Sequence, residues 1–531
     1  MKFFVTGVNG QLGHDVMNEL VSRGYKGIAS DITPKYSGIQ DNSPVTKMPY
    51  ISLDITDKEA VTRILKETAP DVVVHCAAWT AVDLAEDADK QEMVRKINAD
   101  GTQLVNGVAN DFEIARKDSM IVYVMANIPA SDADDAVAVE DKLCFQTESG
   151  LMQEVVLTAQ GQNVITLSGM RISQNTTLDA TKPYRVMDSL VVEKGAELTL
   201  APGTRFLFHN KAALIVHGTL HIDGSRERPV TLRGDRLDLM FKNQPYDRTP
   251  GLWDGIVLTS QSYGNTINYA DIHSSTNGLC ADSSDISRSK LKMENSIIHN
   301  TTNHALNLRM ANVFVGNSQI TNAGGDCVHV RGGDVSLVHC TVGRFYVFTG
   351  GYGHALDFAN FDGDVRLPLH NLYVANSIVT GYQDDEIIGG QNTDFENDAF
   401  NYNFAYSLLD TPQPKEPDDG FESCLWDTRS TDQTEADSIV HDKNFTPAFN
   451  VDHLLFYFTL SPYSPAVGQA SPSISQQHYP YDRTGAPRTA RPDMGCYNHA
   501  ETAETPKLTT TAAPHVSSTH CVQSLKPTRK E

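Results

Sequence analysis

Two stretches, SLVVEKGAELTLAPGT (Ser189–Thr204) and ALIVHGTLHIDGS (Ala213–Ser225), repeat one text: a short aliphatic run, a glycine, a second aliphatic run and a turn. Their glycines, Gly195 and Gly218, lie 23 residues apart. Further along, ENSIIHN, GNSQITN, VHCTVGR, ANSIVTG and AYSLLDT place Ser296, Ser318, Cys340, Ser377 and Ser407 at equivalent points, at intervals of 22, 22, 37 and 30. A base period near 22 with insertions marks a stacked repeat, because one unit of two or three short strands cannot bury its own apolar face. Asn and Gly at the corners tolerate left-handed backbone. Residues 186–498 are therefore expected to form a right-handed parallel β-helix, with a propeller or sandwich as the alternative.

Ahead of the repeats the texture differs. MIVYVMANI (120–128), KLCFQTES (142–149) and QEVVLTAQGQ (153–162) alternate apolar and polar residues, as antiparallel strands do. Three strands are too few for a sandwich, so residues 111–180 are read as a partial immunoglobulin-like (Ig-like) β segment.

The front of the chain is of another kind. KFFVTG (Lys2–Gly7) is a β-rich run ending in glycine, followed by Gly10, Gln11, Leu12, Gly13 and the amphipathic HDVMNELVSRG. A strand, a G-x-x-G-x-x-G turn and a helix make a phosphate loop. Gly7 permits the turn, Gly10 lets backbone approach a pyrophosphate, and Gly13 lets helix and strand pack closely. The helix start offers unpaired N–H groups to the phosphates. Lys26–Ile32 reads as a second strand bearing Asp31, whose carboxylate can accept from a ribose 2′-OH and would repel a 2′-phosphate, mildly favouring NADH. Thr56 or Asp57 is expected to cap the helix DKEAVTRILKETA, and DVVVHCAA after Pro70 reads as a buried parallel strand.

GVNGQLG, LDITD, HCAAWTAVDLAED and INADGTQ, in this order over residues 1–109, resemble the amino-terminal third of the dTDP-4-dehydrorhamnose reductase family, extended short-chain dehydrogenases that make activated L-rhamnose. The resemblance implies a truncated Rossmann-like α/β segment binding NADH or NADPH. Gly7, Gly10, Gln11, Leu12 and Gly13 would touch pyrophosphate and Asp31 the ribose. Asp54 and Ile55 would face the adenine edge, and Ala77, Ala78 and Thr80 the nicotinamide side. The family next supplies a Ser-Thr-Asp-Tyr run and a Tyr-x-x-x-Lys pair, in which the Tyr donates the proton and the Lys lowers its pKa. No tyrosine of this chain has lysine four residues later; Tyr123 meets Asn127. The substrate lobe is absent too, so no catalytic residue is assigned. A half sheet leaves an unpaired strand edge, and residues 1–109 are expected to fold poorly alone.

KPYRVMDSLVVEKGAELTLAPGT, RPVTLRGDRLD and NQPYDRTPGLWDGI resemble the β-helix lipoproteins exported to the surface of certain gut bacteria, and SPAVG (464–468) with DRTGAPRTARPDMGCY (482–497) is similar to their terminal capping motif. The implied role is surface contact, with a glycan as the candidate partner. Two modules meeting near Asn110, each short of its expected partner strands, read as a fusion or chimera. Residues 499–531, rich in Thr, Ser, Pro and Ala, read as a disordered tail.

Composition bounds the rest. The 531 residues carry a net charge of −23. Residues 1–109 contribute −4 and residues 499–531 +1, leaving about −20 between them. That argues against nucleic acid as a partner. The mean hydropathy is −0.32, and no apolar run is long enough to span a bilayer. Eight scattered cysteines form no CxxC pair and read as single buried thiols. Met1 leads directly into a strand without a leader, so the chain as written is expected to be cytoplasmic, although its β-helix relatives are cell-surface proteins.

An enzyme on the β-helix, a polysaccharide lyase or hydrolase, would need clustered carboxylates. The candidates are Asp357, Asp362, Asp364 and Arg366, or Asp384, Asp385, Glu386 and Asp394, with solvated loop acids as the alternative. His299 and His304 read as satisfied corner histidines, and no metal site is expected. Trp253, with Tyr246, Tyr263 and Tyr269, reads as packing before sugar platform.

Overall fold

The computed structural model describes residues 1–43, 45, 48–78, 96–102, 105, 136–146, 151–241, 244–348, 350–416, 418–427, 444, 445, 450, 454–499, 516 and 517. They fall into two compact units, one holding the amino-terminal segment and the other taking in residues 158–517.

The first unit is a parallel sheet of β1 (Lys2–Thr6), β2 (Lys26–Asp31), β3 (Tyr50–Ser52) and β4 (Val72–His75), with helices α1 (Gln11–Ser22) and α2 (Lys58–Thr68) between strands. Its order is β3-β2-β1-β4, so β1 is central, with Phe4 opposite Ile28 on one side and Val73 on the other. Side chains alternate across a strand. Phe4 accordingly joins Ile55, Val61, Ile64 and Leu65 under α2, while Val5 joins Val8, Ala29 and Met17 of α1 on the opposite face. Asp57, not Thr56, caps α2: its carboxylate accepts from the Glu59 and Ala60 amides, each at 3.0 Å. Thr56 is instead tied to Asp54. Ala69 ends the helix in the left-handed region (φ 40°), and Pro70 follows.

In the second unit three parallel ladders run through residues 165–426. One, of 11 strands, passes from Ile165–Leu167 to Leu425–Trp426; the other two together make a 17-stranded sheet. Each strand pairs with its counterpart one repeat along, as the equivalence of Ser189–Thr204 and Ala213–Ser225 anticipates: Ser189 faces Ala213 and Glu197 faces Thr219. Leu190, Leu214, Ile256, Leu279, Leu306, Val328, Leu356 and Ile387 stand in one unbroken register column. All eight are buried in a single core. Fully burying one such side chain stabilises the fold by about 1.5–3 kcal/mol.

The corners follow the same logic. Asn295, Asn317, His339, Asn376 and Tyr406 each adopt φ near +50° immediately before the aligned Ser296, Ser318, Cys340, Ser377 and Ser407. Buried there, the serine hydroxyls accept amides of the preceding repeat: Ser296 N–H to Ser318 Oγ at 3.1 Å, Cys340 N–H to Ser377 Oγ at 3.0 Å and Ser377 N–H to Ser407 Oγ at 3.1 Å. The recurrent serine satisfies a buried donor that the bend leaves without a ladder partner.

One boundary differs from that expected of the sequence. Ile165–Leu167, Arg171–Ile172 and Thr176–Leu178 pair with the strands at Tyr184, Val191 and Leu198, so the ladders take in a further repeat ahead of Val186. Strands of two or three residues are too short to show a period. The carboxy-terminal motif also runs back along the flank. Tyr479 donates to Glu294 at 2.8 Å, Arg488 to Asn317 at 3.0 Å and Cys496 N–H to Thr341 at 3.1 Å. Val137–Gln146 and Met152–Gly161 are strands, whereas MIVYVMANI lies outside the described residues. Trp253 is fully buried, stacks on Phe208 at 4.1 Å and donates Nε1–H to the His273 carbonyl at 2.8 Å, which makes it packing. Among the described residues no helix is long and apolar enough to cross a membrane.

Candidate functional site

β1 delivers the chain to a turn that only glycine could make. Gly7 has φ 71°, and a Cβ there would lie 2.4 Å from the Ala77 nitrogen; a Cβ on Gly13 would lie 2.3 Å from the Gly7 carbonyl oxygen. Helix start and strand end are thus in backbone contact. Gly10 is the cap residue of α1, and no side chain caps the helix. Gly10, Gln11 and Leu12 are exposed, Leu12 at 66% despite its apolar side chain. The positive end of the helix dipole and its first amides therefore open outward, as an anion site requires.

Asp31 stands at the end of β2 beside this turn. Its two carboxylate oxygens accept the Asn9 amide at 3.0 Å and the Ile32 amide at 2.8 Å. The segment after β2 folds over Asn9: Ser37 N–H donates to Asn9 Oδ1 at 2.9 Å, and Asn9 Nδ2 donates to Thr33 at 2.7 Å. Asp54 is exposed and holds its own turn, while the Ile55 side chain is core, with Gly101 close against it. Ala77 is half-buried and tied to β1 through its amide to Thr6 Oγ1 at 3.3 Å; Ala78 is exposed. Thr80 lies outside the described residues, as does Tyr123. The structure thus gathers Gly7, Gly10, Gln11, Leu12, Gly13 and Asp31, and leaves Ile55 inside the core.

Near the loop lies a chain that the sequence reading passed over. Buried His14 contacts Tyr36 Oη at 2.5 Å through Nδ1 and Asp41 Oδ2 at 2.9 Å through Nε2. Hydrogen bonds from Ser43, then His14, hold the Asp41 carboxyl down at about 2. Tyr36 and Asp41 are 22 and 27 residues from His14, with no motif linking them.

In the ladder unit the acids proposed for sugar chemistry are dispersed among partners. Asp357 takes both guanidinium nitrogens of Arg331, at 2.8 and 3.1 Å; Asp362 pairs with Arg309, and Arg366 with Asp398. Buried Glu386 accepts the Ala355 and Gln383 amides, each at 2.8 Å, and Asp385 accepts from Thr411 at 2.7 Å. The histidines behave differently. Asp271, His273 and His299 bring donor atoms within 4.8 Å of one another, and so do His304, Asp326 and His329. His299 and His304 are satisfied, as read, but each belongs to a cluster of two imidazoles and a carboxylate. Beside the first cluster is a cleft of about 230 Å³ lined by Arg248, His299, Gln319, Phe456, Tyr457 and Tyr497, among others.

Residues 1–125 match the RmlD substrate binding domain family. Over 114 residues the chain is 33% identical to a probable low-salt glycan biosynthesis reductase of Haloferax volcanii, covering 22% of this chain and 35% of that protein. Over 100 residues it is 36% identical to the dTDP-4-dehydrorhamnose reductase of Streptomyces griseus, covering 19% and 26%. The chain thus spans about a third or less of these curated relatives. Among solved structures, the NAD complex of Thermus thermophilus UDP-glucose 4-epimerase is 26% identical, covers 21% of this chain and 34% of that one, and has a TM-score of 0.19. A dTDP-4-dehydrorhamnose reductase of Bacillus anthracis in complex with NADP is 28% identical, covers 20% and 32%, and has a TM-score of 0.16. The amino-terminal segment is therefore RmlD-like, as GVNGQLG, LDITD and INADGTQ led one to expect.

Proposed function

We propose that the amino-terminal segment binds a nicotinamide dinucleotide, NADH or NADPH, without reducing a sugar itself, and that it is joined to a right-handed parallel β-helix with a non-catalytic, surface-contact role. The observation that carries the first part is the uncapped start of α1, with Gly10, Gln11 and Leu12 exposed around it. The residues fit the group: backbone donors face outward, a Cβ at Gly7 or Gly13 would break the turn, and Asp31 keeps lone pairs beyond its two amide bonds. The missing Tyr-x-x-x-Lys pair supports binding without chemistry. Three parallel ladders, with left-handed residues recurring at equivalent bends, support the β-helix. The cleft lined by Phe456, Tyr457 and Tyr497 with Arg248 and Gln319 supports a glycan as partner class, since aromatic faces with a few polar groups suit sugars. The dispersal of the acids into ion pairs weighs against a lyase or hydrolase.

The RmlD match favours a second reading, an NAD(P)H-dependent dTDP-4-dehydrorhamnose reductase relative in dTDP-L-rhamnose biosynthesis. NADH fluorescence titration of the full chain tests both. Saturable binding that weakens at least about tenfold in Gly13→Ala is expected, because the added methyl forces helix and turn apart. Equal binding by that variant, or none by the wild type, would sink the first reading. Oxidation of NADH on adding a dTDP-4-keto-6-deoxy sugar would establish the second.

A further inference from the structure

The ladder register places His304, Asp326 and His354 at one position in three consecutive repeats, each two residues before the column residues Leu306, Val328 and Leu356. Neighbouring strands are about 4.8 Å apart, so side chains leaving this corner on the same side converge. His329, three residues beyond Asp326, turns back to the same point. Asp326 is the centre, its side chain only 5% exposed. His329 Nδ1 lies 2.7 Å and His304 Nδ1 3.2 Å from its Oδ2, and His354 Nδ1 lies 3.8 Å from Oδ1. The His304 and His329 rings are stacked at 4.2 Å.

We propose that His304, Asp326 and His329 form a binding site for a divalent first-row transition metal ion, with His354 beside it. Three features of the geometry support this. Metal–ligand bonds of about 2.0–2.2 Å put adjacent ligand atoms roughly 3 Å apart, and two of the three edges already measure 2.7 and 3.2 Å. Second, the nearly buried Asp326 carboxylate is met by ring nitrogens of three histidines, His304, His329 and His354, which sets imidazole ligands around one anionic oxygen donor. Third, the imidazoles are partly open to solvent, at 16–27%, which leaves an entry path and a coordination position for water. Two histidines and one carboxylate with open positions suit Zn²⁺ or Fe²⁺, whereas Ca²⁺ and Mg²⁺ prefer an all-oxygen shell.

Titration of the metal-stripped full chain with Co²⁺, read by visible d–d absorption and followed by displacement with Zn²⁺, tests the site. One Co²⁺ per chain is expected, with affinity reduced at least about tenfold in His304→Gln/His329→Gln and unchanged in His273→Gln/His299→Gln, which alters only the neighbouring cluster. Where a thermal melt shows the first variant unfolded, Asp326→Asn replaces it with the same expected loss. Absence of a d–d band in the wild type, an undiminished band in the variant, or loss of the band in the His273/His299 variant instead would each overturn the proposal.

Discussion

At the turn before α1, the groups that would meet a pyrophosphate lie between Gly7 and Gly13 along the chain, with Asp31 beside them from the end of β2. Around Asp326 in the ladders, the converging side chains come from residues 304, 329 and 354. One site is made by a turn, the other by register. The first needs a few residues of special backbone and a helix behind them. The second needs every intervening repeat to hold its place, since a slip of one residue in any strand turns its side chains to the other face. A register-built site is therefore only as stable as the column beneath it, and a turn-built site is only as good as its local geometry.

The widest separation between the two regions should come from the column. Leu306→Ala removes a fully buried side chain from the middle of eight stacked residues. It is expected to destabilise the ladder unit by about 2–5 kcal/mol, read as a shifted denaturant midpoint in β circular dichroism, while the proposed NADH binding at the loop is untouched. A shift below about 1 kcal/mol would mean that repeats tolerate a cavity by local collapse, and register would then matter less to the ladder site than its construction implies.

A second contrast is in pH. His339 occupies a left-handed corner under the flanking carboxy-terminal segment, with Nδ1–H donated to the Gly495 carbonyl at 3.2 Å and Nε2 facing Ser475 at 2.8 Å and Asn376 at 3.0 Å. Burial, then the nearby Arg488, holds it well below the ordinary 6.5, although the Gly495 bond pulls upward. Folded His339 stays neutral while the unfolded chain takes up a proton, so its contribution is intact above 6.5 and falls as pH drops below it. Between pH 7.5 and 5.5 the ladder unit should lose about 1.4 kcal/mol, measurable by urea denaturation. His339→Gln should flatten that slope; an unchanged slope would assign the loss to other groups.

The smallest effect is expected in the first unit. Asp57→Ala removes two capping bonds from α2 and should cost about 1 kcal/mol, with the ladder unit's melt unmoved. A shift in the ladder melt would show that the two units do not unfold separately.

The same distinction explains what could be read in advance. The glycine turn between β1 and α1 was legible because three glycines, a helix and an acid stand at fixed short spacings. The ladders were legible because Ser296, Ser318, Cys340, Ser377 and Ser407 keep a period that survives insertions. The Asp326 cluster was not legible, because His304 and Asp326 are 22 residues apart but Asp326 and His354 are 28 apart, so the equivalence appears only once the register is known. Local competition hid the rest. Thr56 and Asp57 are both good caps, and the Asp54 carboxylate claims the first for its own turn. The first repeat at Ile165 leaves no period in the sequence because Arg171–Ile172 is too brief to alternate.

The corner residues also bear on how such a chain can change. Each ladder strand pairs only with the repeats on either side, and the passage from Gly324 to Cys327 in one repeat is widened to the span from Phe345 to Ala355 in the next without disturbing the Val328–Leu356 pairing. That widened span is what carries His354 over Asp326. A molecule built this way can be lengthened by duplicating a segment and diversified by grafting a loop at a bend, since neither event asks distant parts to readjust. Novelty can therefore accumulate at the rim one excursion at a time, while the apolar column that supports it is inherited intact.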